Sequence, residues 1–143
     1  MEEPLPAMAY LGIKFHPDQR NRAVIERVSA ALSEQGMRTE CVARDLELWG
    51  ERSFAPPELM DRTFAVIRQS AVAVIELSEK GVGLGIEAGY AFGQSIPVVV
   101  LHAIGSDVSD TPRGIATAVF AYEDDRSLRE AAQRIRKIAS PGT

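Results

Sequence analysis

The sequence predicts an α/β protein: one domain over 1–143, with a Rossmann-like or flavodoxin-like parallel sheet of four or five strands and helices on both faces. Three observations predict it. Short runs such as Ala71-Val72-Ala73-Val74-Ile75 are continuously apolar, so both their faces must be covered. These runs alternate with stretches of helical period. The chain of 143 residues, 45% hydrophobic and 25% charged, has the size and composition of one soluble domain able to bury a core without staples.

Each element has its own signal. Ala7 to Ile13 is short and apolar, a buried strand. Arg20 to Gln35 is helical, with Val24, Val28, Ala31 and Leu32 on one face and Gly36 where a terminating glycine belongs. Met37 to Ala43 reads as the second strand, and Arg44 to Pro56 as a long loop containing Trp49-Gly50. Pro57-Glu58 suits the first turn of a second helix whose core stripe is Met60, Phe64 and Ile67. After the strand Ala71 to Ile75, a glycine-rich loop from Gly81 to Gly85 leads into a short helix from Ile86 to about Gly93. Ile96 to Leu101 is the fourth strand, Ala103 to Thr117 is polar and irregular, and Val119 to Tyr122 suits a fifth strand. Ser127 and Glu130 have capping-box spacing and open a last helix ending in Arg134, Arg136 and Lys137. The first six residues and 140–143 read as loose ends.

Charge and composition exclude several function classes. Sixteen basic against twenty acidic residues leave a net charge of −4, which argues against a nucleic-acid polymer as partner. No apolar run approaches the roughly 20 residues that span a bilayer, and the start carries no secretory pattern, so no membrane partner and a cytoplasmic location are expected. The single Cys41 reads as a small buried hydrophobe. One cysteine and two distant histidines, His16 and His102, supply no zinc spacing, and neither a metal nor a cofactor is expected.

The most informative stretch runs from Ile75 through the glycines to Tyr90. It leaves the carboxyl end of a buried strand, the edge where ligands bind in open α/β sheets. Alternating glycines let backbone approach a ligand, and Glu87 is expected in the first helical turn, its ionised form favoured by free amides. Such a carboxylate can act as a nucleophile or stabilise positive charge at an anomeric carbon. The plainer alternative is a tight turn with Glu87 complementing the helix dipole. A dinucleotide fingerprint at Gly83-x-Gly85-x-x-Ala88 fits poorly, because it follows the third strand and the next strand ends Leu101-His102 without a ribose-binding acid.

Gly83-Leu84-Gly85-Ile86-Glu87-Ala88-Gly89-Tyr90-Ala91 resembles the nucleophile segment of the nucleoside 2-deoxyribosyltransferase superfamily, which includes 2′-deoxynucleoside 5′-monophosphate N-glycosidases and pyrimidine-nucleotide N-glycosidases of nucleoside-antibiotic pathways. Ala9-Tyr10-Leu11-Gly12 resembles the first-strand motif, Ala43-Arg44 through Trp49-Gly50 the loop after the second strand, and Ser109-x-x-x-Arg113-Gly114 the monophosphate glycosidase spacing. The resemblance implies cleavage or exchange of the N-glycosidic bond of a nucleoside or nucleoside 5′-monophosphate through a covalent glycosyl-enzyme at Glu87. It implies that Tyr10 orients the nucleophile or sugar, that Gly83 and Gly85 line sugar and phosphate, and that Ser109 meets phosphate from a partner subunit of a homodimer.

Other candidate substrate contacts come from the residues. Gly12 closes the first-strand motif, and Lys14, His16 and Arg20 follow that strand at the glycine-loop edge, where a phosphate could be bound. Trp49 offers a stacking surface for a base, Arg113 a phosphate contact, and Glu76 a stand-in acid or a partner for Lys14 or Arg44. Two departures stand out. The family's second-helix aspartate falls on Thr63, with Asp61 about 200° round the helix. The position six before the nucleophile is Gly81. These departures support an alternative, a catalytically weak nucleotide-binding or sensing module.

Overall fold

The computed structural model describes residues 7–140; the first six residues and 141–143, expected as loose ends, lie outside them. The strands are β1 Ala7–Ile13, β2 Met37–Glu40, β3 Val72–Glu76, β4 Val98–Ala103 and β5 Ala118–Tyr122. All neighbours pair in parallel, in the order β2-β1-β3-β4-β5. That order reverses direction between β1 and β3, which opens a crevice at their carboxyl ends. The α-helices are α1 Arg22–Glu34, α2 Pro56–Arg68, α3 Val82–Gly93, α4 Asp110–Ile115 and α5 Asp125–Ala139.

The expected fold class is the observed one. β3 is buried at every position, as its apolar run requires for a central strand. Strand alternation divides the core in two. Leu11, Val74 and Leu101 face α1 and α5, packing with Ile25, Leu32, Leu128 and Ile135. Tyr10, Ile75 and Val100 face α2 and α3, packing with Ile67, Leu84 and Ala88. Among the described residues no helix is long and apolar enough to cross a membrane.

Six local expectations are corrected. α1 begins at Arg22 rather than Arg20, because Gln19 at φ 61° closes a turn with its amide on the His16 carbonyl. β2 stops at Glu40 rather than Ala43, because the Asp45 carboxylate takes the Cys41 amide at 2.8 Å. The segment after it is not plain loop: Val42–Leu46 forms a π-helical turn and Leu48–Gly50 a 3-10 turn. Gly81 to Gly85 is no loop either. Gly81 caps α3 and Gly83 and Gly85 lie inside it, so packing overrides the helix penalty of glycine. The polar stretch before β5 contains α4, and the capping box of α5 pairs Asp124 with Ser127 rather than Ser127 with Glu130.

Candidate active site

Over β1, between the segment that follows β2 and the helices α2 and α3, lies a cavity of about 260 Å³, at the small end for a ligand pocket. β1 contributes Tyr10 and Gly12, and Phe15 lies just beyond it. The segment after β2 contributes Cys41, Val42 and Glu47; α2 contributes Leu59, Met60 and Thr63; α3 contributes Gly83 and Glu87. No cationic side chain lines it. Two carboxyls in an otherwise apolar wall favour a ligand that develops positive charge.

Glu87 is partly buried and sits on the second turn of α3, not the first. The helix terminus therefore does not govern its charge. Burial does: it pushes the Glu87 carboxyl up to about 7, against the opposing effect of the Tyr10 hydroxyl, which donates a hydrogen bond to Oε1. Tyr10 is buried, and burial and Glu87 together raise its own pKa well above the usual range, so it remains a donor. The two carboxylate oxygens are unequal. Oε1 is held by Tyr10 and abuts Gly12, where an added Cβ would stand 3.0 Å away. Oε2 lies over Gly83, 3.6 Å from a Cβ there, and accepts no hydrogen bond among the described residues. The same Gly12 Cβ would meet Ile75 and Tyr10 at 3.2 Å, so only glycine lets the carboxylate and the tyrosine close on each other.

The other expected residues divide among separate places. Lys14, Gly85 and Ser109 line a second, wider cleft of about 770 Å³ on the other side of α3, with Lys80, Gly81 and Pro112. Lys14 is exposed and makes no ion pair; Lys80 pairs loosely with Asp107 at 3.4 Å. His16 is taken by Glu79 at 2.6 Å and Arg20 by Asp18 at 2.9 Å. His16 first, and Lys14 further, hold the Glu79 carboxyl below the usual range. Arg113 is exposed on α4. Trp49 does not line the cavity. It packs 6.0 Å from Phe15, under the Arg22 guanidinium at 4.4 Å, and so backs the ring that does.

Glu76 lies on the opposite face of the sheet. It accepts from the Ser78 amide at 2.6 Å, the Ser78 hydroxyl at 2.9 Å and the Tyr122 hydroxyl at 2.5 Å. Neither Lys14 nor Arg44 pairs with it; Arg44 pairs with Asp45 at 2.8 Å. Thr63 is buried against the cavity, its hydroxyl spent on the Leu59 carbonyl at 2.8 Å, and Asp61 points to solvent. Cys41 is buried as expected, its thiol pushed up to about 11 by burial. Sequence reasoning missed Phe15 and Glu47 as cavity residues. The only available signal for Glu47 was its place in the polar segment that follows β2.

No protein-family model matches the chain. It is 30% identical over 138 residues to a Thermofilum pendens protein named "Putative 2′-deoxynucleoside 5′-phosphate N-hydrolase 1", covering 94% of this chain and 95% of that protein. Among solved structures it resembles the CMP N-glycosidase BcmB of Clostridium botulinum, with a TM-score of 0.65 at 13% identity over 90% of this chain and 98% of that one. A 2-deoxyribosyltransferase of Leishmania mexicana superposes with a TM-score of 0.64 at 16% identity, covering 95% and 99% of the two chains. The structural likenesses concern the fold, and with the full-length sequence relative they agree with the β1 and α3 motifs: the chain belongs to the nucleoside 2-deoxyribosyltransferase superfamily.

Proposed function

We propose that this protein cleaves the N-glycosidic bond of a nucleoside 5′-monophosphate, with Glu87 as nucleophile. The observation that carries the reading is the Glu87 carboxylate held by Tyr10 through one oxygen, the other being without a hydrogen bond among the described residues, beside a cavity that Glu87 lines. Oε2 attacks C1′ as the base departs with the bonding pair, giving a glycosyl ester. Water then attacks C1′ and releases the sugar phosphate, or a second base takes its place and the reaction is an exchange. Tyr10 fixes the carboxylate and stabilises its ionised form.

A phosphate does not suit a cavity lined by two carboxyls. Lys14, Gly85 and Ser109 in the neighbouring cleft are better placed for one, beside the unpaired first amides of α3. The same cleft supports a homodimer. A Cβ added at Gly85 or Gly89 would meet nothing within 4 Å, and Val82 and Ile86 are exposed on that helix. Arg113 and Trp49 then act at the rim and behind the cavity wall rather than on the sugar.

The test is direct. The protein is incubated with the common nucleosides and their 5′-monophosphates, in ribose and deoxyribose form, and free base is measured by chromatography. Base release from a monophosphate, faster than from the matching nucleoside, is expected. Binding without release from any of them would establish the second reading, a nucleotide-sensing module. Thr63, its hydroxyl already committed to Leu59, is the observation that favours it.

A further inference from the structure

Breaking an N-glycosidic bond leaves an electron pair on the base nitrogen, and a base that departs unprotonated is a poor leaving group. A proton donor must therefore stand across the sugar from the nucleophile. We propose that Glu47 is that general acid, a reading that rests on Glu87 as nucleophile.

Four observations carry it. Glu47 and Glu87 are the two acidic residues among those that line the cavity, and they come from different elements, the segment after β2 and α3. The Glu47 carboxyl has no hydrogen-bond or ion-pair partner among the described residues, so its proton is uncommitted. By contrast Thr63 is spent on Leu59, Tyr10 on Glu87, and Glu76 lies on the far face of the sheet. Glu47 is held by backbone rather than left on a loose loop. Its amide donates to the Val42 carbonyl at 2.9 Å, and its carbonyl accepts from the Gly50 and Arg52 amides at 2.9 and 3.0 Å. The residues on either side are pinned as well, by the Arg44–Asp45 pair and by Trp49 packed on Phe15. Finally, partial burial raises the Glu47 pKa from its ordinary value, the direction a general acid needs.

The step balances. As Glu87 Oε2 bonds to C1′, the C1′–N bond breaks, its pair stays on the base, and the Glu47 proton passes to a ring nitrogen or carbonyl oxygen of that base. In the second half the Glu47 carboxylate takes a proton from the incoming water, whose oxygen bonds to C1′ as Glu87 leaves. Each residue returns to its starting state, and the net change is nucleotide plus water to free base plus sugar phosphate.

The experiment compares Glu47→Gln and Glu87→Gln on two substrates. One is the monophosphate the wild type cleaves best. The other is the same nucleotide with its base made a better leaving group, by 7-methylation of guanine or 5-fluorination of uracil. Glu47→Gln is expected to lose roughly 100- to 10,000-fold on the ordinary substrate, the usual worth of a general acid, and under about tenfold on the activated one. Glu47→Asp, which keeps a proton on a shorter arm, recovers part of the loss. Glu87→Gln loses both substrates. Equal losses on both substrates with Glu47→Gln, accompanied by a lower thermal midpoint, would show that Glu47 only shapes the wall and would overturn the proposal while leaving the nucleophile in place. A wild type that releases base from neither substrate would remove the hydrolase reading itself, and the acid with it.

Discussion

Glu76 and Glu87 are both carboxyls enclosed near the carboxyl edge of one sheet, and they are held in opposite ways. Glu76, at the end of β3, faces α1 and α5. Three donors saturate it, the Ser78 amide and hydroxyl and the Tyr122 hydroxyl, while the Ser78 hydroxyl also accepts from the Ala103 amide at 2.8 Å. It ties the carboxyl ends of β3, β4 and β5 together. Glu87, on the other face, has one donor, and its second oxygen accepts no hydrogen bond among the described residues. Burial alone therefore does not set what a carboxylate is free to do. The number of donors does. A saturated carboxylate spends its lone pairs on structure, whereas a singly held one is oriented and still nucleophilic.

The contrast breaks most sharply at Glu87. Glu87→Gln keeps the shape and removes the attacking charge, and base release should fall by at least about a thousandfold, each tenfold being about 1.4 kcal/mol of barrier. Binding of a nucleotide analogue, measured by calorimetry, should survive, because the charge acts mainly in the transition state. A variant that releases base as fast as wild type would place the chemistry elsewhere.

Tyr10→Phe sharpens the same side. Losing a hydrogen bond to a charged group costs about 1.5–3 kcal/mol, so the rate should fall roughly 10- to 100-fold. On the proposed function ionised Glu87 is the attacking form, so the limb of the rate profile set by its ionisation should lie near pH 7. Tyr10 lowers that pKa, and its removal should move the rising limb to higher pH. An unmoved limb would show that Tyr10 does not act on the carboxylate.

Glu76→Gln tests the other side. An amide nitrogen would face donors in place of an acceptor, costing about 2–4 kcal/mol and lowering the thermal midpoint on the order of 10 °C. Base release per folded molecule should change little. A large rate loss at unchanged stability would mean that Glu76 belongs to the chemistry after all.

The remaining effect is a pH-dependent stability difference. The folded pKa of Glu87 lies above the ordinary value of 4.5, so its proton-linked stability is fully present below 4.5 and is lost as pH rises through about 7. Gln cannot ionise. Relative to wild type, Glu87→Gln should therefore gain stability between pH 4 and pH 8, by up to about 3 kcal/mol. Denaturant midpoints at the two pH values measure it. A difference that does not grow with pH would mean that Glu87 is not desolvated.

Much of this molecule is written locally. The apolar run of β3, the helical period of α1 and the terminating Gly36 at φ 76° are short-range signals, and they yield the element order and a parallel sheet. The Tyr10 and Glu87 motifs were legible for the same reason, because each is a contiguous stretch. What the tertiary structure alone decided is which side chains meet. Tyr10 and Glu87 are 77 residues apart, and Glu76 and Tyr122 are 46 apart. Which face of the sheet a strand residue takes depends on pleat parity and on the register of β1 against β3. That register sends Glu76 away from the cavity. The π-helical turn after β2 brings Glu47 into it, through an Asp45 carboxylate that takes a strand's next amide. Such pairings are bonds between distant segments, and no spacing along the chain encodes them.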